Sequence, residues 1–241
     1  MANGYMGKIL NVDLTTGRIE SEALSESVCQ DYIGGYGIGA RLLYDRIPAG
    51  ADPLGPYNIL GFLTGPLTGT PAIIGSRFVA VGKSPKTAGG WGDANCGGYF
   101  GPHLKFAGFD GVLFNGIAAK PVYLLINEGQ AELLDAGDLW GRGVTPLEDL
   151  LAARHGKDIQ ICSIGPAGEK LSLTACIMND KERAAARSGL GAVMGSKNLK
   201  AVVVKGKMKV PLHDEDGMKE LRKKYLKEAT GPFTVFKKYG T

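Results

Sequence analysis

Six glycines fall within the thirteen residues from Gly89 to Gly101. Glycine loses the most backbone freedom on folding and has no side chain to bury, so this density predicts a loop rather than a helix or a packed strand. A short apolar run, Phe78 to Val81, precedes the loop, and Arg77 and Lys83 flank that run. Turn-forming N–H groups next to cations favour an anion-binding concavity. An ordinary glycine-rich surface loop is the alternative.

A similar order of segments occurs twice, over residues 59–116 and 159–206. Each copy reads as a strand, Gly-Pro, a second strand, a loop, a Leu-Lys pair, an apolar strand and a closing glycine. The matched pieces are strands at 59–64 and 159–164, strands ending at Phe78 and spanning 174–177, loops at 89–101 and 182–195, and the pairs Leu104-Lys105 and Leu199-Lys200. Such self-similarity indicates an internal duplication. Two copies related by a pseudo-twofold axis would place two anion-binding loops face to face, which suits a ligand with two phosphates or two phosphorylated ligands.

The remaining pattern predicts two hairpins and four helices. The hairpins are expected at residues 5–20, with a turn at Thr15-Thr16-Gly17, and at 120–135, with a turn at Glu128-Gly129. The helices are expected at 26–33, at 38–45, from a capping box at Thr145 to Gly156, and from Asp214 to just before Gly231-Pro232. Because the sequence offers few apolar side chains to anchor the segments 89–101 and 183–195, we expect both to be mobile.

Composition excludes several classes of protein. The net charge is only +4 over 241 residues without a basic run, which argues against nucleic-acid binding. No stretch approaches the roughly 20 apolar residues of a membrane span, and the N-terminus does not read as a signal peptide, so we expect a cytoplasmic protein. The cysteines are far apart and predict buried free thiols rather than a zinc or cluster site: Cys29, Cys96, Cys162 and Cys176. The three histidines are isolated, and no catalytic constellation is visible.

Seven motifs stand in collinear order along essentially the whole chain. They are MGKILNVDLTTG (6–17), DPLGPYN (52–58), TGPLTGT (64–70), GGYFGPHLKFAGFDG (97–111), KPVYLLI (120–126), SIGPAGE (163–169) and MNDKERAAAR followed by GAVMGSKNLKAV (178–202). These motifs resemble the N-terminal domain of the tungsten-containing aldehyde ferredoxin oxidoreductase family. The resemblance implies an α+β fold of two mixed β-sheets with short helices, duplicated about a pseudo-twofold. It also implies a base for a bis-pterin tungsten cofactor (tungstopterin).

The resemblance further implies which residues hold that cofactor. The implied contacts are Arg77, Asn95, Gly97, Arg183, Ala184, Ala186 and Arg187. The backbone carbonyls of Asn95 and Ala184 would hold a magnesium ion that bridges the two pterin phosphates, in keeping with the preference of Mg²⁺ for oxygen ligands. Guanidinium groups suit phosphate or pterin acceptors. The sequence departs from the family at Tyr36, where arginine is usual, and at Ala186, where glycine is frequent.

By the same resemblance, the full-length enzyme oxidises aldehydes to carboxylic acids and passes electrons through a 4Fe-4S cluster to ferredoxin. The cluster cysteines would lie beyond residue 241, so we expect a fragment that is inactive alone. Residues 1–210 would form the tungstopterin-binding domain and 211–241 the connection to C-terminal domains that are missing here; a homodimer is a further expectation. Two alternatives remain open, namely the tungsten subunit of an aromatic-ring (benzoyl-CoA type) reductase and a free-standing module that binds a phosphorylated ligand.

Overall fold

The computed structural model describes residues 2–239, which contain seven α-helices, one short 3-10 helix (Pro85–Thr87) and twelve strands. The helices are α1 (Glu26–Tyr32), α2 (Gly35–Arg46), α3 (Phe100–Phe106), α4 (Val144–His155), α5 (Pro166–Glu169), α6 (Leu190–Ser196) and α7 (Glu215–Tyr239). The strands are β1 (Lys8–Asp13), β2 (Arg18–Ala23), β3 (Leu60–Thr64), β4 (Phe78–Lys83), β5 (Trp91–Cys96), β6 (Gly111–Asn115), β7 (Val122–Asn127), β8 (Gln130–Asp135), β9 (Gln160–Ser163), β10 (Ile177–Asn179), β11 (Arg183–Ala185) and β12 (Leu199–Lys205).

The strands form two six-stranded sheets of identical topology. The first has the order β2-β1-β6-β3-β4-β5 and the second the order β8-β7-β12-β9-β10-β11. In each sheet one pair is parallel, β1 with β6 and β7 with β12, and the other pairs are antiparallel. The predicted α+β fold with an internal duplication is therefore confirmed. The repeat is longer than the sequence indicated, because both predicted hairpins belong to it.

Strand register makes Asn95 and Ala184 equivalent positions in the two repeats. Asn95 pairs with Val79 across β5 and β4, and Ala184 pairs with Met178 across β11 and β10. Val79 and Met178 in turn pair with the second residue before each Gly-Pro turn, Leu63 and Ser163. The Gly-Pro match seen in the sequence is therefore a true structural equivalence.

The Leu-Lys match is wrong. Leu104 and Lys105 lie in α3, whereas Leu199 and Lys200 begin β12. The two lysines nevertheless reach corresponding turns, since the Lys105 ammonium donates to the Gly65 carbonyl at 2.7 Å and the Lys200 ammonium to the Ile164 carbonyl at 2.7 Å. A shared contact made from non-equivalent positions explains why the sequence match misleads.

The main core lies between the two sheets. It buries α3, with Phe100 and Leu104, and α6, with Val193 and Met194, against inner-face side chains from both repeats. Because successive side chains of a strand point to opposite faces, the outer faces need their own cover. Helices α1 and α2 cover the first sheet and α4 covers the second. The two repeats therefore share one core and cannot be separated without exposing it.

The glycine-rich segment is not the loop that was predicted. Residues 91–96 form β5, and α3 begins at Phe100. A Cβ on Gly92 would lie 2.9 Å from Cβ of Ser84 and 3.1 Å from Cβ of Ser188, so glycine is needed because neighbours approach closely rather than because the backbone is irregular. The expected lack of apolar anchors is also wrong: Ala94, Cys96, Phe100, Leu190 and Val193 are all buried. Mobility of these segments stays a prediction.

Several element boundaries differ from the predictions. Strand β10 spans 177–179 rather than 174–177, and α2 begins at Gly35, three residues early. The capping box at Thr145 does not form, because α4 begins at Val144 and the Glu148 carboxylate accepts a 3.1 Å bond from the Lys181 amide instead. Helix α7 continues past Gly231-Pro232 to Tyr239, since an interior proline removes one helical hydrogen bond without necessarily ending a helix. The ends of the predicted domains, Met1, Gly240 and Thr241, lie outside the described residues.

Candidate anion site between the two repeats

The edge strands β5 and β11 lie next to each other where the two repeats meet. Ser188, just after β11, binds the edge of β5: its hydroxyl accepts a 3.1 Å bond from the Asp93 amide and donates a 2.9 Å bond to the Asp93 carbonyl. The Ser188 carbonyl accepts a 2.8 Å bond from the Ser84 hydroxyl. These bonds hold the second repeat against the free edge of the first sheet.

Backbone alternation points the Asn95 carbonyl toward the second repeat. In an antiparallel edge strand, alternate residues direct both N–H and C=O away from the neighbouring strand. Asp93 does so, because both of its backbone groups bond to Ser188. Asn95 is two residues later and therefore faces the same way, and the register gives Ala184 the equivalent orientation on β11. Two backbone carbonyls thus point outward from facing edges.

Two arginines, one from each repeat, approach Gly97. A Cβ added to Gly97 would lie 3.4 Å from Nη1 of Arg77 and 3.9 Å from Nη1 of Arg183. Arg77 is oriented by a hydrogen bond from its Nε to the Asn95 side-chain oxygen. The Arg183 side chain is 55% exposed, and its Nε lies 3.8 Å from an oxygen of Asp180. Two partly solvated guanidinium groups beside a bare backbone form a site suited to an anion.

A second pair of residues, Asn179 and Asp180, fixes the backbone next to these arginines. The buried Asn179 amide donates to the Gly97 carbonyl at 2.7 Å and to the Cys96 sulfur at 3.2 Å. The Asp180 carboxylate accepts a 2.8 Å bond from the Tyr99 amide. Sequence reasoning did not single out either residue. Their position at the polar end of an apolar strand, next to Arg183, is the signal that could have identified them.

A cavity of about 240 Å³ opens beside Arg77 and Asn95. The first turn of α2 lines its far side with Gly34, Gly35 and the half-exposed Tyr36. Tyr36 thus borders the site at the position where the sequence departs from the family pattern. Tyr36 and the start of α2 therefore line the same cavity as Arg77.

The remaining predicted contacts, Ala186 and Arg187, follow β11 and are exposed to solvent. His103, one of the three isolated histidines, lies in α3 with its Nδ1 3.0 Å from the Tyr99 carbonyl. Cys29, Cys96 and Cys162 are buried free thiols as predicted, whereas Cys176 is half-buried. Of the predicted cofactor contacts, the structure therefore clusters Arg77, Asn95, Gly97 and Arg183 and sets Ala184 on the facing edge.

Burial dominates the electrostatics around the two edges. It raises the pKa of the Asp180 carboxyl, an effect that the Tyr99 amide and Arg183 oppose. It also raises the pKa of the Cys96 thiol, although the Asn179 amide and the two arginines act in the other direction. Among residues 2–239, no group of three or more His, Cys, Asp or Glu side chains is placed to hold a metal ion.

The fold and the motifs define a domain of a known oxidoreductase family. The family described as "Aldehyde ferredoxin oxidoreductase, N-terminal domain" matches residues 9–206. The chain belongs to this family.

Relatives with the same domain carry several different names. The chain is 46% identical to the tungsten-containing aldehyde ferredoxin oxidoreductase of Pyrococcus abyssi, covering 99% of this chain and 40% of that protein. It is 37% identical to the aliphatic sulfonate oxidoreductase, WOR-like subunit, of Pyrococcus furiosus, covering 98% and 40%. The active-site complex BamBC of benzoyl coenzyme A reductase, solved with 1,5-dienoyl-CoA, superposes with a TM-score of 0.92 at 35% identity, covering 96% of this chain and 36% of that one. This chain thus spans about two fifths of the length of these relatives.

None of the helices in the described part of the chain is both long enough and apolar enough to cross a membrane.

Proposed function

We propose that this chain is the pterin-phosphate-binding domain of a tungsten-dependent oxidoreductase that oxidises aldehydes to carboxylic acids. The observation that carries the proposal is the approach of Arg77 and Arg183, from different repeats, to the unsubstituted backbone of Gly97. Two anion-binding halves facing each other suit a cofactor with two phosphates. Ala186 and Arg187 are proposed as further contacts from the exposed end of β11.

The donor atoms at the facing edges fit a magnesium ion between the two phosphates. Asn95 and Ala184 offer outward backbone carbonyls from equivalent positions, and Mg²⁺ prefers oxygen ligands and is commonly completed by phosphates and water. We therefore assign the two carbonyls as the protein ligands of this ion. Side-chain carboxylates are not required, because the phosphates supply the negative charge.

The residues of this chain would bind and orient the cofactor rather than perform the redox step. The bound tungsten centre would supply the two-electron chemistry. In the assembled enzyme, which we place in the cytoplasm, a 4Fe-4S cluster bound outside this chain would pass the electrons to ferredoxin. Residues 1–210 would be the cofactor base and 211–241 the connection to the remaining domains, and homodimerisation belongs to the same proposal.

Calorimetric titration of the 241-residue chain with inorganic pyrophosphate and Mg²⁺ tests the binding role. Arg77→Gln and Arg183→Gln should each weaken binding about 10-fold, the loss expected for a charge-assisted contact of about 1.5 kcal/mol. Arg18→Gln is the matched control, since Arg18 is an exposed arginine that pairs with Glu20 on the outer hairpin. Equal affinity for all four proteins would refute an anion site at Gly97.

A second function, the tungsten subunit of an aromatic-ring reductase, is favoured by the superposition on the BamBC complex. Both functions use the same cofactor base, so the site described above does not separate them. The assay that does is reduction of a redox dye by the full-length enzyme with an aldehyde, compared with turnover of an aromatic coenzyme A thioester. The remaining alternative, a free-standing phosphate-binding module, predicts a stop codon directly after codon 241 rather than a frame that continues into a cysteine-cluster motif.

A further inference from the structure

The turn from Gly97 to Tyr99 belongs to the first repeat, but the Gly97 carbonyl and the Tyr99 amide find their hydrogen-bond partners in the second. The Asn179 amide donates 2.7 Å to the Gly97 carbonyl, and the Asp180 carboxylate accepts 2.8 Å from the Tyr99 amide. Two consecutive side chains at the end of β10 therefore hold the backbone on both sides of Gly98. Side chains of the second repeat therefore fix a turn of the first repeat, beside the proposed anion site.

Gly98 shows how tightly this turn is enclosed. Its φ is +108°, in the region that favours glycine, and a Cβ there would lie 2.3 Å from Oδ2 of Asp180 and 2.7 Å from Oδ1 of Asn179. Asp180 itself has a positive φ of 50°, which for a residue other than glycine is an uncommon conformation. Both sides of the contact thus adopt unusual backbone geometry in order to meet.

Asn179 is fully buried, and its side-chain oxygen has no hydrogen-bond partner in the described part of the chain. An apolar residue of similar size would avoid the cost of that buried oxygen, which is typically about 1–3 kcal/mol. An asparagine here is therefore explained by its donor side, which reaches Gly97 and Cys96. The bond to Gly97 fixes the backbone that Arg77 and Arg183 approach.

We propose that Asn179 and Asp180 are positioning residues that fix the Gly97–Tyr99 turn so that Arg77 and Arg183 face one anion. This inference rests on the proposed function, because it assigns a support to the same site. Neither side chain needs to touch the ligand. Asp180 acts as an acceptor for the Tyr99 amide, and its negative charge beside Arg183 is secondary to that bond.

Titration with pyrophosphate and Mg²⁺, well below the melting temperature of each variant, tests the inference. Asn179→Ala is expected to weaken binding about 10-fold through loss of the Gly97 bond. Asn198→Ala is the matched control, because the Asn198 amide likewise donates to a backbone carbonyl, that of Ala118 at 2.8 Å, at the start of β12. The control is expected to lose stability but keep its affinity. Unchanged affinity in Asn179→Ala would overturn the role of Asn179.

Asp180 supplies a second test that does not depend on a fully buried position. Asp180→Ala is expected to weaken pyrophosphate binding and to speed hydrogen exchange of the Tyr99 amide. Asp180→Asn keeps a side-chain oxygen for that amide, so protection and affinity should return to at least the original level. Binding by Asp180→Asn as weak as that of Asp180→Ala would show that charge, rather than positioning, is what matters, and would refute the inference for Asp180.

Failure of the inference can be told apart from failure of the proposed function. If the unmodified chain binds no pyrophosphate, the proposed function fails. Exchange of the Tyr99 amide, measured by NMR without ligand, then still decides whether the contact is real. Faster exchange in Asp180→Ala but not in Asn198→Ala supports a fixed turn, and equal exchange in both overturns it.

Discussion

The buried ammonium of Lys197, at the end of α6 in the second repeat, donates a 2.6 Å hydrogen bond to the Asn58 carbonyl in the first. It also donates to the Gly116 carbonyl at 3.1 Å. The loop before β3 and the end of β6 are thus tied to the helix that fills the shared core. Burial lowers the pKa of Lys197 to about 8.

This pKa predicts a specific dependence of stability on pH. Because the folded pKa lies below the unfolded value, the native state bears a cost for the charged lysine that is fully present below pH 8. The cost falls as pH rises from about 8 toward 10.5, where the unfolded state binds more protons than the native state. The free energy of unfolding should therefore rise relative to Lys197→Met, by about 1.4 kcal/mol per pH unit at most. Urea titrations of the unmodified chain and of Lys197→Met from pH 7 to 10 measure this rise. A difference in the free energy of unfolding that stays constant with pH would contradict it.

The buried pair of Lys105 and Asp110 predicts a large loss of stability on Asp110→Ala. Asp110 accepts bonds from the Met6 and Gly7 amides and lies 3.7 Å from the Lys105 ammonium. Removing it leaves a buried cation without its counter-charge, which typically costs about 3–5 kcal/mol. Asp45→Ala breaks the exposed pair with Arg41 and should cost less than about 1 kcal/mol. Denaturant unfolding distinguishes the two, and similar losses would argue against the buried pair.

Gly98→Ala should destabilise the chain more than Gly17→Ala. Both glycines have positive φ, +108° and +75°, so both substitutions introduce backbone strain of about 1 kcal/mol. Only at Gly98 would the new methyl group also collide with Asp180 and Asn179, whereas nothing lies within 4 Å at Gly17. We expect Gly98→Ala also to abolish pyrophosphate binding. Equal melting temperatures for the two variants would refute the close contact.

The 241-residue chain by itself should show no aldehyde-dependent reduction of a redox dye. In the described part of the chain no group of three or more His, Cys, Asp or Glu side chains is placed to hold a metal ion, and we expect the cluster that carries electrons away to be bound outside this chain. A tungsten-containing aldehyde ferredoxin oxidoreductase of the kind that this chain resembles provides the positive control. Dye reduction by the isolated chain would overturn the division of roles proposed here.

Much of the fold could be predicted because local signals and the repeat agreed. The hairpins at Thr15-Thr16-Gly17 and Glu128-Gly129 follow from alternation and turn residues, and the Gly-Pro turns mark equivalent strands. The glycine segment was misjudged because a sequence does not show which neighbour makes glycine necessary. Gly98 is required by Asp180 and Asn179, about 80 positions away, and Gly92 is crowded by the distant Ser188 as well as by the nearby Ser84.

The site was harder to predict than the fold. Arg77, Asn95 and Arg183 were named through resemblance, but their convergence depends on how two sheets face each other. The sequence does not indicate a role for Asn179 and Asp180, because their contacts with Gly97 and Tyr99 cross between the repeats. Periodicity predicts which face of a strand is buried, but it carries no information about contacts between distant edges.

A crystal structure of the chain with pyrophosphate and Mn²⁺ in place of Mg²⁺ is the most direct measurement of the central claim. Anomalous scattering locates the metal without ambiguity. We expect the metal between the carbonyls of Asn95 and Ala184, with the phosphate oxygens reaching the guanidinium groups of Arg77 and Arg183. A metal and anion bound elsewhere, with the two facing edges empty, would contradict the assignment of this domain as the base of a two-phosphate cofactor.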